Sequence, residues 1–106
     1  MNYAIVDLGS NTVRLSVYSL EPDKSCRLLF SEKETAGLNN YIVDRVLSKP
    51  GIQRACDALN HFRGLLEQFG VERMRVFATA SLRNIQNTQQ AVEEIAAATG
   101  IQVEVI

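Results

Sequence analysis

At 106 residues, 46% hydrophobic and 22% charged, the chain has the composition of a soluble globular domain, long enough to bury roughly two thirds of its extended-chain surface in one core. No apolar run approaches the roughly 20 residues of a membrane helix, and a formal net charge of −1 offers no general attraction to nucleic acid or an anionic membrane. One histidine and two widely spaced cysteines exclude a His/Cys metal cluster, and Cys26 and Cys56 read as small core or half-buried thiols in a reducing compartment.

The chain begins directly with a short apolar run rich in β-formers, Tyr3-Ala4-Ile5-Val6. No basic region, apolar h-region or small-residue cleavage site precedes it, so a cytoplasmic location is the expectation. After Asp7-Leu8-Gly9-Ser10-Asn11-Thr12, the residues Val13, Leu15 and Val17 alternate with Arg14, Ser16 and Tyr18, which predicts a hairpin. Gly9 suits the left-handed backbone of a tight turn, and Asn11 tolerates it. Glu21-Pro22-Asp23-Lys24 reads as a second turn and residues 27–34 as a third strand, so three antiparallel strands come first. Residues 36–50 read as a polar, irregular connection anchored by Tyr41-Ile42-Val43 and Val46-Leu47.

Ser48 as N-cap, Pro50 in the first turn and apolar residues at Ile52, Ala55, Cys56, Leu59, Phe62, Leu66 and Phe69 predict a helix over about 50–69, stopped by Gly70. His61 and Arg63 flank its apolar stripe and read as a solvated face. Residues 74–79 form a short buried strand, close enough behind the helix for a βαβ-type crossover. A helix over about 88–99, opened by Asn87 or Thr88 and closed by Gly100, leads to a last strand over 101–106. The order βββαβαβ implies a mixed α/β sheet with antiparallel strands at one edge, parallel strands after them and helices packed on it.

The first turn collects what phosphate chemistry needs. Successive N–H groups of Gly9, Ser10, Asn11 and Thr12 can line an anion-binding concavity, with hydroxyls from Ser10 and Thr12. Arg14 brings a guanidinium that grips a phosphoryl group bidentately, and Asp7 a carboxylate able to bind Mg²⁺ directly or through water. The competing reading is an ordinary hairpin whose Asp and Asn cap their own turn. Thr79, Ser81 and Arg83 lie just past the carboxyl end of a strand, where open α/β sheets bind ligands. Surface pairing or carbonyl capping is the alternative for Arg83.

The string Asp-x-Gly-Ser-Asn-Thr-x-Arg-Leu after an N-terminal apolar strand closely resembles the first phosphate loop of the exopolyphosphatase and guanosine pentaphosphate phosphatase family. That family belongs to the superfamily of actin, sugar kinases and heat-shock ATPases. Ala78-Thr79-Ala80-Ser81-Leu82-Arg83-Asn84-Ile85-Gln86-Asn87 is similar to the family's Ala-Thr-x-Ala-x-Arg motif with a following Asn, and the resemblance extends over essentially all 106 residues. It implies a ribonuclease H-like domain of the actin-like ATPase superfamily. It also implies cleavage of a terminal phosphoanhydride in polyphosphate or a guanosine pentaphosphate alarmone, with water and Mg²⁺.

In those terms Asp7 holds the metal, while Gly9, Ser10, Asn11, Thr12, Arg14, Ser81 and Arg83 bind substrate. Relatives carry a basic residue soon after the third strand, whereas Thr35-Ala36-Gly37-Leu38 has none. The family's water-activating glutamate and its Gly-rich second phosphate loop lie beyond Ile106, so the resemblance implies an N-terminal lobe that is inactive without a second lobe. Glu104 reads as a solvent-facing strand carboxylate. Two further expectations accompany this one: a non-catalytic sensor of polyphosphate or guanosine tetraphosphate using the same loop, and self-association through an apolar surface left uncovered between lobes.

Overall fold

The computed structural model describes residues 1–106. Alternating side chains make the first segments strands, each sending one set inward. β1 (Asn2–Leu8) buries Ala4, Val6 and Leu8, and β2 (Thr12–Leu20) buries Val13, Leu15 and Val17. β3 (Cys26–Thr35) is an edge strand exposed along most of its length.

The connection 36–50 is more ordered than expected. A 3₁₀ turn, Leu38–Tyr41, runs into a minimal hairpin of β4 (Ile42–Val43) and β5 (Val46–Leu47), turned by Asp44 and Arg45 at φ 51° and 64°. Such two-residue turns favour Asn-Gly or Asp-Gly, so Asp-Arg gave little warning of one. Leu38 and Leu47, both buried, fasten the segment to the core.

α1 (Lys49–Gln68) starts as expected: the Ser48 hydroxyl accepts the Gly51 N–H at 3.3 Å, with Pro50 in the first turn. β6 (Arg73–Ala78), the single-turn helix α2 (Ala80–Arg83), α3 (Thr88–Thr99) and β7 (Val103–Val105) complete the chain. α2 was not foreseen. The main sheet has the order β3-β2-β1-β6-β7, antiparallel through the first three strands and parallel through β1, β6 and β7. This is the expected mixed α/β layer in the order βββαβαβ, with the minimal hairpin inserted before α1.

One cluster of 25 buried residues joins the inward side chains of β1, β2, β6 and β7 to Ala55, Leu59 and Phe62 of α1 and to Ala91 and Ile95 of α3. The helices therefore lie over one face. The other face, bearing Tyr3, Ile5, Asp7, Arg14, Ser16, Tyr18, Arg75 and Phe77, stays half-buried or exposed. Far from the first turn, Tyr3, Ile5, Tyr18, Leu20 and Cys26 line an apolar hollow of about 300 Å³. Cys26 is exposed there rather than half-buried, because it begins the edge strand β3 on the face the helices leave open; Cys56 is buried in α1, where burial pushes its thiol pKa up.

Candidate functional site

The turn between β1 and β2 lies at the carboxyl ends of β1 and β6, where Leu8 pairs with Ala78. Its shape has a different cause from the one expected of Gly9. Neither Gly9 nor Asn11 adopts a left-handed backbone. Instead the Gly9 N–H donates to the Thr12 carbonyl at 3.1 Å, and a Cβ at Gly9 would stand 2.6 Å from that oxygen. Glycine is required by close approach. The same bond removes the Gly9 amide from the set of donors free for an anion.

Three neighbouring elements hold the turn by its carbonyls. Ser81 of α2 donates its hydroxyl to the Leu8 carbonyl at 2.5 Å. From the segment after β3, the Gly37 and Asn39 N–H groups donate to the carbonyls of Asn11 and Ser10, each at 2.9 Å. The Ser10 and Asn11 N–H groups donate to no protein acceptor. Because the N–H and C=O of a trans peptide unit point in opposite directions, fixing the Ser10 carbonyl on Asn39 aims the Asn11 N–H away from that wall and out of the turn.

The wall is itself anchored. Glu34, at the end of β3, accepts from Arg54 at 2.6 Å and from His61 at 2.9 Å, both on α1, and Arg54 also donates to the Thr35 carbonyl at 3.4 Å. Partial burial acts to raise the Glu34 carboxyl pKa, but the hydrogen bonds and charges of Arg54 and His61 prevail and hold it below its ordinary value. His61 and Arg63, read as a merely solvated face, are both engaged. Arg63 donates to the Thr99 carbonyl and, at 2.6 Å, to Asn60.

Asp7 and Arg14 are direct cross-strand neighbours on the open face, both exposed and outside every ion pair of the structure. No cluster of three or more metal-ligating side chains includes Asp7 or exists elsewhere. A lone carboxylate still suits Mg²⁺, which commonly takes one or two carboxylates and completes its shell with phosphate oxygens and water.

The second motif divides. Ser81, expected among the substrate contacts, is fully buried and its proton is on Leu8, so its hydroxyl shapes the corner of the turn instead of meeting a ligand. Arg83 is exposed and donates to the Ile106 carbonyl at 3.1 Å, the carbonyl-capping alternative, leaving further donors open. In the sheet order it stands toward β7, while Arg14 stands on β2, so the two cations flank β1 from opposite sides. Glu104 forms a bidentate pair with Arg75, at 2.6 and 3.0 Å. The Gly37–Asn39 wall was missed in the sequence, where only Gly37 with its φ of 63° marked a sharp change of direction.

The family model of the Ppx/GppA phosphatase family matches residues 16–106. The chain belongs to that family. Over 108 residues it is 32% identical to the guanosine-5'-triphosphate,3'-diphosphate pyrophosphatase of Vibrio vulnificus, with 98% of this chain and 21% of that protein covered. It is 29% identical to retrograde regulation protein 2 of Saccharomyces cerevisiae over 96% of this chain and 19% of that one. All of the chain superposes on 34% of an exopolyphosphatase from Cytophaga hutchinsonii at 28% identity and a TM-score of 0.87. A Ppx/GppA family member from Aquifex aeolicus gives 26% identity, a TM-score of 0.86 and coverage of 35% of its chain. The expected ribonuclease H-like, actin-like ATPase fold is thus the fold of these Ppx/GppA neighbours. The chain spans about a fifth of the curated relatives and about a third of the solved structures.

Proposed function

We propose that the protein is a phosphoanhydride hydrolase of the Ppx/GppA type that releases terminal phosphate from inorganic polyphosphate or guanosine pentaphosphate, and that the turn over residues 9–12 receives the terminal phosphoryl group. The observation that carries this reading is the set of free donors at the turn. The carbonyls of Leu8, Ser10 and Asn11 are all tied to the surrounding protein, while the Ser10 and Asn11 N–H groups have no partner. A turn with pinned carbonyls and open amides is pre-organised for an anion and needs no rearrangement when charge develops.

The hydroxyls of Ser10 and Thr12 add donors at the rim, and Gly9 keeps the turn narrow. Arg14 and Arg83 offset phosphoryl charge from either side of β1. Asp7 would hold Mg²⁺, which when bound neutralises charge on the phosphoryl oxygens. Positioning and charge stabilisation carry most of such a reaction.

A second reading is a sensor that binds polyphosphate or guanosine tetraphosphate without turnover through the same open amides of Ser10 and Asn11. The test is phosphate release from long-chain polyphosphate and from guanosine pentaphosphate with Mg²⁺, using the protein in its natural full length. Release that falls by about two orders of magnitude or more in Asp7→Ala and Arg14→Ala supports the hydrolase. Binding without release supports the sensor, and unaltered release in both variants contradicts the site.

A further inference from the structure

Across the end of the sheet nearest the turn, five strands place one residue each in a single row on the open face: Lys33, Arg14, Asp7, Phe77 and Glu104. Lys33 of β3 stands directly opposite Arg14 of β2. We propose that Lys33 and Arg14 form the continuation of the phosphate site, binding the second and later phosphoryl groups of a condensed phosphate whose end group occupies the turn. This inference rests on the reading of the turn as a phosphate site.

Two like charges directly opposite on neighbouring strands are destabilising unless something lies between them or neutralises them. The one carboxylate beside the pair, Asp7 across from Arg14, forms an ion pair with neither. Neither residue enters an ion pair, and neither donates a hydrogen bond to a protein oxygen through its side chain. Of the other nine cations six are held by protein groups, while Lys24, Lys49 and Arg73 are free like Lys33 and Arg14; what sets Lys33 and Arg14 apart is that they stand directly opposite each other. Arg27, Arg54 and Arg75 each face a carboxylate, and Arg45, Arg63 and Arg83 each donate to a backbone carbonyl.

In sequence Lys33 stands between two acids, Glu32 and Glu34. Strand alternation sends both to the opposite face, where Glu34 is held by Arg54 and His61. The glutamates thus go to the helix side, and the lysine is left beside Arg14. On the open face the row is asymmetric, cationic from Arg14 outward to the β3 edge and aromatic on the other side of Asp7. Within this row a polyanion leaving the turn is therefore attracted toward β3, while Arg83 stands outside the row on the β7 side.

The experiment is calorimetric titration of the natural full-length protein with tripolyphosphate and with orthophosphate, in the wild type, Lys33→Ala and Lys33→Arg. Loss of one charge-assisted contact predicts about tenfold weaker tripolyphosphate binding in Lys33→Ala, with the orthophosphate Kd changed by less than about twofold. Lys33→Arg is expected to restore most of the difference. A merely structural role for Lys33 would move both ligands together. Equal effects on the two, or an unchanged tripolyphosphate Kd, overturn the inference while leaving the turn intact as a site. Failure of the wild type to bind either ligand overturns both readings.

Discussion

The side-chain amide of Asn87 brackets the backbone of Leu47, accepting its N–H at 3.0 Å and donating to its carbonyl at 2.9 Å across forty positions of sequence. A third bond between the same segments, from the Gln86 N–H to the Arg45 carbonyl at 2.6 Å, joins them tip to loop. The minimal hairpin of β4 and β5 is too short to persist alone, so its position depends on this clasp to the start of α3. Through Tyr41 and Leu38 the hairpin in turn continues the wall that holds the carbonyls of Ser10 and Asn11.

Removing the clasp is therefore expected to cost stability. Asn87→Ala loses two partly buried hydrogen bonds, about 2 kcal/mol in all, and a melting temperature lower by roughly 10 °C is predicted for a domain of this size. Asn87→Asp keeps the acceptor and loses the donor, and its melting temperature should fall between the two. Differential scanning calorimetry of the three proteins measures both.

Gly9→Ala places a methyl group 2.6 Å from the Thr12 carbonyl oxygen, too close for any rotamer to relieve. The turn must open, at a cost of about 1–3 kcal/mol. Gly64→Ala is the control, since nothing lies within 4 Å of a Cβ there and α1 gains helix propensity of up to about 1 kcal/mol. Urea unfolding should show opposite signs for the two substitutions.

The Glu34 carboxyl sits below its ordinary pKa of 4.5 in the folded chain. The unfolded chain consequently takes up a proton first as pH falls. The stability Glu34 contributes is complete above about pH 4.5 and is lost as pH drops through the lowered folded value. Between about pH 6 and about pH 3, wild type should lose more stability than Glu34→Gln, as read from denaturant midpoints. Equal losses would mean that the Arg54 and His61 contacts do not favour the ionised form in solution.

Much of this was legible in the sequence because local pattern and tertiary structure agree. The alternation at Val13, Leu15 and Val17 and the helical spacing from Ile52 to Leu66 each have a single burial solution, so strands, helices and their order followed from them. The positions of Asp7 and Arg14 were legible too: hydrophobic alternation places both as exposed charges beside a turn.

What escaped depends on contacts between distant segments. Ser81 looks like a ligand hydroxyl in sequence, and only the approach of α2 to the end of β1 shows that it serves Leu8. Gly9 was assigned to the right turn for the wrong reason, because a glycine demanded by a neighbouring carbonyl and one demanded by a positive φ are identical in sequence. The hairpin around Asp44 and Arg45 carried no favoured turn dipeptide. Its support comes from Asn87, forty residues on.

The claim on which the account rests is that the open amides of the first turn receive a phosphoryl group, and amide-resolved NMR of the isotopically labelled protein tests it most directly. On titration with tripolyphosphate and Mg²⁺, the Ser10 and Asn11 N–H resonances should shift earliest and furthest, while the Gly9 amide, already bonded to Thr12, moves less. Saturable shifts clustered elsewhere, with residues 9–12 unmoved, would contradict it.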